Sequence, residues 1–186
     1  MKYHICLYGN PVLREKAVRI TSIDETITGM ADDMLEIMTA NNGAGLAAQQ
    51  IGKTIQICTI SFDPEYDVAE PDGPRLNPDV HMPLVLVNPV LVDKQGAHTY
   101  TESCLSIPKI SAPVERALEI TVSFLNLPGE QKKLSIRGFM ARVIQHEMDH
   151  LNGMLFIDRV SPVKKISIAG KLKRLKKKTE KELGNT

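Results

Sequence analysis

Apolar residues first recur at helical spacing in SIDETITGMADDMLEIMTANNG, where Ile27, Met30, Met34 and Ile37/Met38 fall three and four apart and line one helix face. Asn41-Asn42-Gly43 ends the pattern with residues that tolerate left-handed backbone. The methionine stripe reads as core. KTIQICTISF and LVLVNPVLVD are short apolar runs of strand type. Between them, residues 63–83 are polar and proline-rich and predict a long surface loop. Further on, Ile120, Val122 and Phe124 alternate with polar neighbours, and Leu127-Pro128-Gly129-Glu130 supplies the turn of a hairpin.

The segment FMARVIQHEMDHLNG returns to helical period. Phe139, Val143, His146 and His150 share one stripe, so the two histidines continue an apolar face and point inward. Gly153 stops this helix. Gln145 reads as polar helix surface. The last segment opens with Ser161 as N-cap and Pro162 at the first helical position; Ile166, Ala169, Leu172 and Leu175 are expected to line its inner side. Strands with one helix buried among them predict an α+β fold, with antiparallel sheets around a central helix and a C-terminal helix. Residues 1–160 form the body and 161–186 a basic amphipathic tail.

Composition sharpens this picture at two points. The formal net charge of +1 conceals a division: from Ser161 onward there are nine Lys/Arg against two Glu, so a basic tail joins an acidic body. Three cysteines, Cys6, Cys58 and Cys104, are too few for a disulfide framework and point to a reducing compartment. With no membrane-length apolar run and no signal-peptide pattern in MKYHICLYGNPVLREKA, a cytoplasmic location is expected.

The chemistry concentrates in HEMDH, residues 146–150. Two imidazoles four apart stand one helical turn from each other and reach one ion, with Glu147 beside them. A catalytic ion wants a third protein ligand and one open position. A third histidine six residues after His150 would make one familiar class of zinc protease, but Phe156 stands there. A downstream glutamate is available only at Glu180 and Glu182, deep in the basic tail. Upstream donors are His4, His81, His98 and the three cysteines. Cys58 lies in an apolar run and Cys6 in HICLYG, where packing accounts for both; Cys104, in TESCLSIP at a strand end, is the best placed of the six. Rival readings are another amidase with the same ligands, or a nucleic-acid-binding protein whose structural metal is closed by a fourth ligand.

Three blocks in order resemble the peptide deformylase family: GAGLAAQQ (43–50), ESCLS (102–106) and QHEMDH (145–150). The resemblance runs from about residue 8 to 160 and makes that body the catalytic domain. It implies that Cys104, His146 and His150 hold one divalent ion, characteristically Fe²⁺, with Zn²⁺ or Ni²⁺ able to take its place. It implies Glu147 as general base and acid, and Gln50 (side-chain amide) and Leu105 (backbone N–H) as polarising groups for the formyl oxygen. Gly43 and Gly45 are then substrate-binding, Gly45 by letting the substrate backbone approach. The implied substrate is the formylated amino terminus of nascent chains, with the basic tail as a ribosome contact. Glu102 and Arg116 are expected to be a buried pair that fixes the cysteine strand. One position departs: Ser103 stands where the family motif has glycine. A serine there is expected to tilt the Cys104 strand, crowd the substrate or donate a hydrogen bond.

Overall fold

Seven strands and four helices account for the chain in a computed structural model that describes residues 3–184. Helix α1 spans Glu25–Ala40. Strands β1 (Gly45–Ala47), β2 (Ile57–Ile60), β3 (Leu84–Gln95), β4 (His98–Cys104), β5 (Ile107–Arg116), β6 (Glu119–Leu125) and β7 (Gln131–Arg137) follow. Helices α2 (Gly138–Leu151), α3 (Phe156–Arg159) and α4 (Pro162–Leu183) close the chain. All strand pairs are antiparallel, in a five-stranded sheet of order β1-β2-β3-β6-β7 and a separate β4–β5 hairpin. The α+β expectation holds.

Helix α2 is the centre of the molecule. From Met140 to Leu151 every residue is buried, because the large sheet covers one side and the β4–β5 hairpin with α3 covers the other. Met140, Ala141, Ile144 and Met148 pack with Ile120, Val122, Phe124 and Ile136 of the sheet. Cys104, Ile107, Ala112 and Val114 of the hairpin pack with Leu155, Phe156 and Ile168. The methionine stripe of α1 is core, as expected: Met34 and Met38 are fully buried.

Local chemistry explains the breaks. Asp24 caps α1 by accepting from Ile27 N–H. The helix ends where Asn42 takes a left-handed φ of 54°, so asparagine supplies the stop and Gly43 is free for another use. In β3, Asn88 adopts φ 53° ahead of Pro89, which has no N–H for the ladder, and the register slips between Val87 and Val90. The Asn88 amide then stands in as a strand partner, accepting from Ile20 N–H and donating to Ile20 carbonyl. The β6–β7 turn begins one residue earlier than predicted, because Asn126 Oδ1 accepts from Glu130 N–H and closes it. Residues 63–83 contain a 3₁₀ turn at Pro64–Tyr66 and are anchored inside, where fully buried Asp67 accepts from Arg75 and Asn77.

The tail corrects one expectation. Ser161 and Pro162 do open α4, but Ile166 is 78% exposed, Ala169 is exposed too, and the inner stripe is buried Ile168 and Thr179 with half-buried Leu172 and Leu175. At about 100° per residue, Ile166 stands opposite Leu175 and cannot share its face. Helix α4 lies across the amino-terminal segment closely enough that a Cβ on Gly9 would come within 2.9 Å of the Lys176 carbonyl oxygen.

Candidate metal centre

Cysteine and histidines arrive from different layers. Cys104 ends β4 in the hairpin; His146 and His150 lie one turn apart on α2. One donor atom from each of the three falls within 4.8 Å of the others, and the Cys104 Sγ to His150 Nε2 distance is 3.3 Å. Among the described residues this is the one such cluster that could hold a metal ion. Cys58 is fully buried in β2 and Cys6 packs beside the hairpin core, as expected of both. Phe156, standing where a third histidine was sought, stacks on His146 with ring centroids 6.2 Å apart.

Four side chains of α2 fasten the two halves together. Arg142, Gln145, His146 and Asp149 follow i, i+3, i+4, i+7 spacing, and all four bond to the hairpin or its end. Glu102 accepts from Arg116 (2.9 Å) and Arg142 (2.7 Å), and pairs with His146 Nδ1 at 2.9 Å. Asp149 accepts from Arg116 and Arg159. Gln145 grips the backbone of Ala117 with both ends of its amide. It is buried, not helix surface as the sequence suggested. Glu102 and Arg116 form the expected buried pair; Arg142, Gln145 and Asp149 are the contributors missed in the sequence. Their signal was the shared stripe with His146 on a helix whose other positions are apolar.

The donors are electronically prepared. Hydrogen bonding of Nδ1 to Glu102 leaves the Nε2 of His146 to face the thiol, the arrangement that suits a ligating imidazole. His146 is pushed well above its ordinary pKa: burial opposes its charge, but hydrogen bonds with Cys104 and Glu102 outweigh that, so an ion binding there must displace a proton. His150 is pushed well below, by burial first and then by the charge of His146, so it stays neutral with a lone pair to give. Burial lifts Glu147 to about 7, against the pull of His146 and Arg116. Only three buried side-chain polar atoms lack a partner among the described residues, and two of them, Glu147 Oε2 and His150 Nδ1, belong here. A soft sulfur donor, two imidazoles one helical turn apart and an uncommitted carboxylate fit a divalent ion with a proton-carrying group beside it.

The remaining expected residues gather around the same cleft of about 670 Å³, which Gly43, Gly45, Gln50, Leu105 and Glu147 line. Gln50 is fixed by its oxygen, which accepts from Ala47 N–H at 2.8 Å; its amide nitrogen therefore faces Cys104 Sγ at 3.5 Å and Ser106 Oγ at 3.3 Å. A Cβ on Gly45 would meet Glu147 Oε1 at 2.5 Å and Val143 Cγ1 at 2.8 Å, and one on Gly43 would meet Leu105 Cδ1 at 2.8 Å. Close approach thus demands glycine at 45, while at 43 a side chain would have to displace the end of Leu105. Ser103 is exposed on the cleft wall and is not among the residues with positive φ, so glycine's left-handed freedom is not needed there.

An HExxH helix joined to a cysteine hairpin inside an α+β frame defines a metal-dependent hydrolase. The polypeptide deformylase family profile matches residues 2–166. The peptide deformylase of Nitrosococcus oceani is 41% identical over 178 residues, covering 96% of this chain and 94% of the relative; that of Opitutus terrae is 40% identical over 183 residues, covering 96% and 95%. The crystal structure of Arabidopsis thaliana peptide deformylase 1B in complex with an inhibitor superposes with a TM-score of 0.84 at 33% identity, over 97% of this chain and 94% of that one. The Thermus thermophilus peptide deformylase gives 0.80 at 35%, over 95% and 99%. The chain belongs to the peptide deformylase family, metal-dependent hydrolases that remove the N-formyl group from nascent peptides and use a single divalent ion. No described helix is long and apolar enough to cross a membrane.

Proposed function

We propose that Cys104, His146 and His150 hold the ion, that Glu147 carries the proton, and that Gln50 and Leu105 stabilise the transition state. The observation that carries this reading is the convergence of one sulfur and two imidazole nitrogens beside a buried carboxylate oxygen with no partner. When bound, a divalent ion supplies Lewis acidity and brings a water's pKa toward neutrality.

The chain's own groups do the rest. Glu147, lifted toward neutral pH by burial, accepts a proton from the attacking water and returns it to the departing amine nitrogen as the C–N bond breaks. Formate and the free methionyl amino terminus leave. The formyl oxygen gains negative charge at the tetrahedral stage, where the Gln50 Nε2–H and the Leu105 backbone N–H donate to it. Each such donor is worth roughly 3–4 kcal/mol in comparable sites. Gly43 and Gly45 keep the wall beside Glu147 and Leu105 thin enough for the substrate backbone.

Residues 1–160 are read as the catalytic unit and 161–186 as a basic helical appendage. Fe²⁺ is the assigned ion, with Zn²⁺ and Ni²⁺ able to use the same donors; anaerobic purification with metal analysis tests this. A cytoplasmic site of action follows from a nascent-chain substrate. The exposed lysines of α4 are read as a ribosome contact through phosphate attraction. Because Leu172 and Leu175 pack on the body, charge reversal at Lys173 and Lys177 tests that contact better than truncation; undiminished co-sedimentation with ribosomes at low salt would refute it. The enzymatic reading is tested by formate release from formyl-Met-Ala-Ser against acetate release from acetyl-Met-Ala-Ser. A strong preference for formyl is expected, and equal rates would point to a general amidase.

A further inference from the structure

Cys104 pairs with Ile107, whereas Ser103 pairs with Ser111. One step along β4 therefore stands opposite a jump of four along β5, and Pro108, Lys109 and Ile110 bulge out of the ladder directly after the cysteine turn. Bulges beside active sites re-aim side chains. At the middle of this one Lys109 holds φ 62°, a conformation disfavoured for any L residue with a long side chain. Lys109 lines the cleft that is also lined by Glu147 and two of the donor residues, Cys104 and His146.

Charge makes this position distinctive. The exposed residues of the cleft wall are Asn41, Asn42, Thr101, Ser103, Pro108 and Lys109, and of these only lysine is charged. The other charged lining residues, Glu102, Arg142 and Glu147, are buried, the first two in the hairpin network. Lys109 forms no ion pair among the described residues. A peptide whose formyl end is held between Glu147 and Cys104 must leave the cleft across this neutral rim, past one uncompensated ammonium group.

We propose that Lys109 is a specificity-determining residue, and that its charge favours formylated peptides with Asp or Glu within the three residues after methionine and disfavours Lys or Arg there. This rests on the deformylase reading and adds the substrate class to it. An exposed attraction is small, and the contrast between an attracted and a repelled side chain roughly doubles it, so a ratio of about three- to ten-fold in kcat/KM is expected between Glu and Lys peptides at low salt.

The test is kcat/KM for formyl-Met-Xaa-Ala-Ser, formyl-Met-Ala-Xaa-Ser and formyl-Met-Ala-Ser-Xaa, with Xaa Glu, Gln or Lys, on the metal-loaded enzyme. Wild type should prefer Glu over Gln over Lys in at least one series. That ratio should shrink toward one as salt rises to about 0.5 M, where screening lengths fall below the span of a lysine side chain. Lys109→Asn removes the charge with a residue that tolerates left-handed backbone and should erase the ratio; Lys109→Glu should invert it. Thermal unfolding of both variants separates recognition from folding, and the wild-type salt titration needs no variant. Wild-type indifference to Xaa, or a preference that survives Lys109→Asn, would overturn the inference while leaving deformylation intact. Absence of formate from the Gln peptides would overturn the deformylase reading and the inference with it.

Discussion

Gly45→Ala is the sharpest perturbation of the carboxylate proposed to carry the proton, because it touches neither the proposed ligands nor Glu147 by chemistry. The added Cβ would stand 2.5 Å from Glu147 Oε1, where ordinary contact begins at 3.4 Å, so the carboxylate must retreat by about 0.9 Å. The strain reaches beyond the carboxylate end: Glu147 Cγ and Val143 Cγ1 each lie 2.8 Å from the same Cβ and must shift too. Misplacing a reacting group by about 1 Å can lower turnover about 100-fold. Overpacking a well-filled site costs about 1–3 kcal/mol, which for a chain of this size lowers Tm by roughly 2–12 °C. Formate release from formyl-Met-Ala-Ser, measured with metal content and thermal unfolding, should therefore show a large fall in kcat at unchanged metal stoichiometry. A Gly45→Ala enzyme with wild-type kcat would show that Glu147 is not held against this glycine, and the argument for its placement would fail.

Other expectations are equally direct. Glu147→Gln should bind its ion and lose about 100- to 10,000-fold in kcat, the range for a lost general base; wild-type turnover would remove Glu147 from the mechanism. Gln50→Ala should lower kcat about 100- to 1,000-fold with the fold intact by circular dichroism, and an unaffected rate would free Gln50 of its role. Acid stability should report Glu102. Burial raises its pKa, but bonds from Arg116 and His146 outweigh this and hold it well below the usual carboxylate range. The folded value is thus depressed, so its stabilisation is complete above the unfolded pKa of about 4.3 and is lost as pH falls through the folded value. Urea midpoints should drop below pH 4.3 in wild type, and Glu102→Gln should be less stable by about 3–5 kcal/mol near neutrality, having broken a buried pair, with a flatter acid limb. An unchanged acid limb would contradict the assignment.

Much of this architecture was legible because it depends on local period. Met30, Met34 and Met38, and Val143, His146 and His150, fall on helix faces by spacing alone and are buried as that spacing requires, while Ile27 and Phe139 at the head of each stripe are half-buried. Cys104 is different: it lies 46 residues from His150 on a separate hairpin, so sequence supplied the donor's chemistry but not its convergence. The fasteners were hidden for another reason. Arg142, Gln145 and Asp149 are polar residues at helical spacing, which ordinarily face water; here they face Glu102, Ala117 and Arg116 because the hairpin covers that side of α2. Ile166 failed the other way. Its hydrophobicity suggested a buried face, yet the helical phase set by Ile168, Leu172 and Leu175 turns it to solvent. The bulge at Lys109 had no local signal at all, since it exists only as a mismatch between two strands.

The central claim is that one sulfur and two imidazoles share an ion beside Glu147. X-ray absorption at the zinc edge of protein loaded with one equivalent of Zn²⁺ tests it most directly. The account predicts one sulfur at about 2.3 Å and two imidazole nitrogens at about 2.0–2.1 Å, with the sulfur shell absent in Cys104→Ala. A first shell without sulfur in the wild-type protein, or one unchanged by Cys104→Ala, would contradict it.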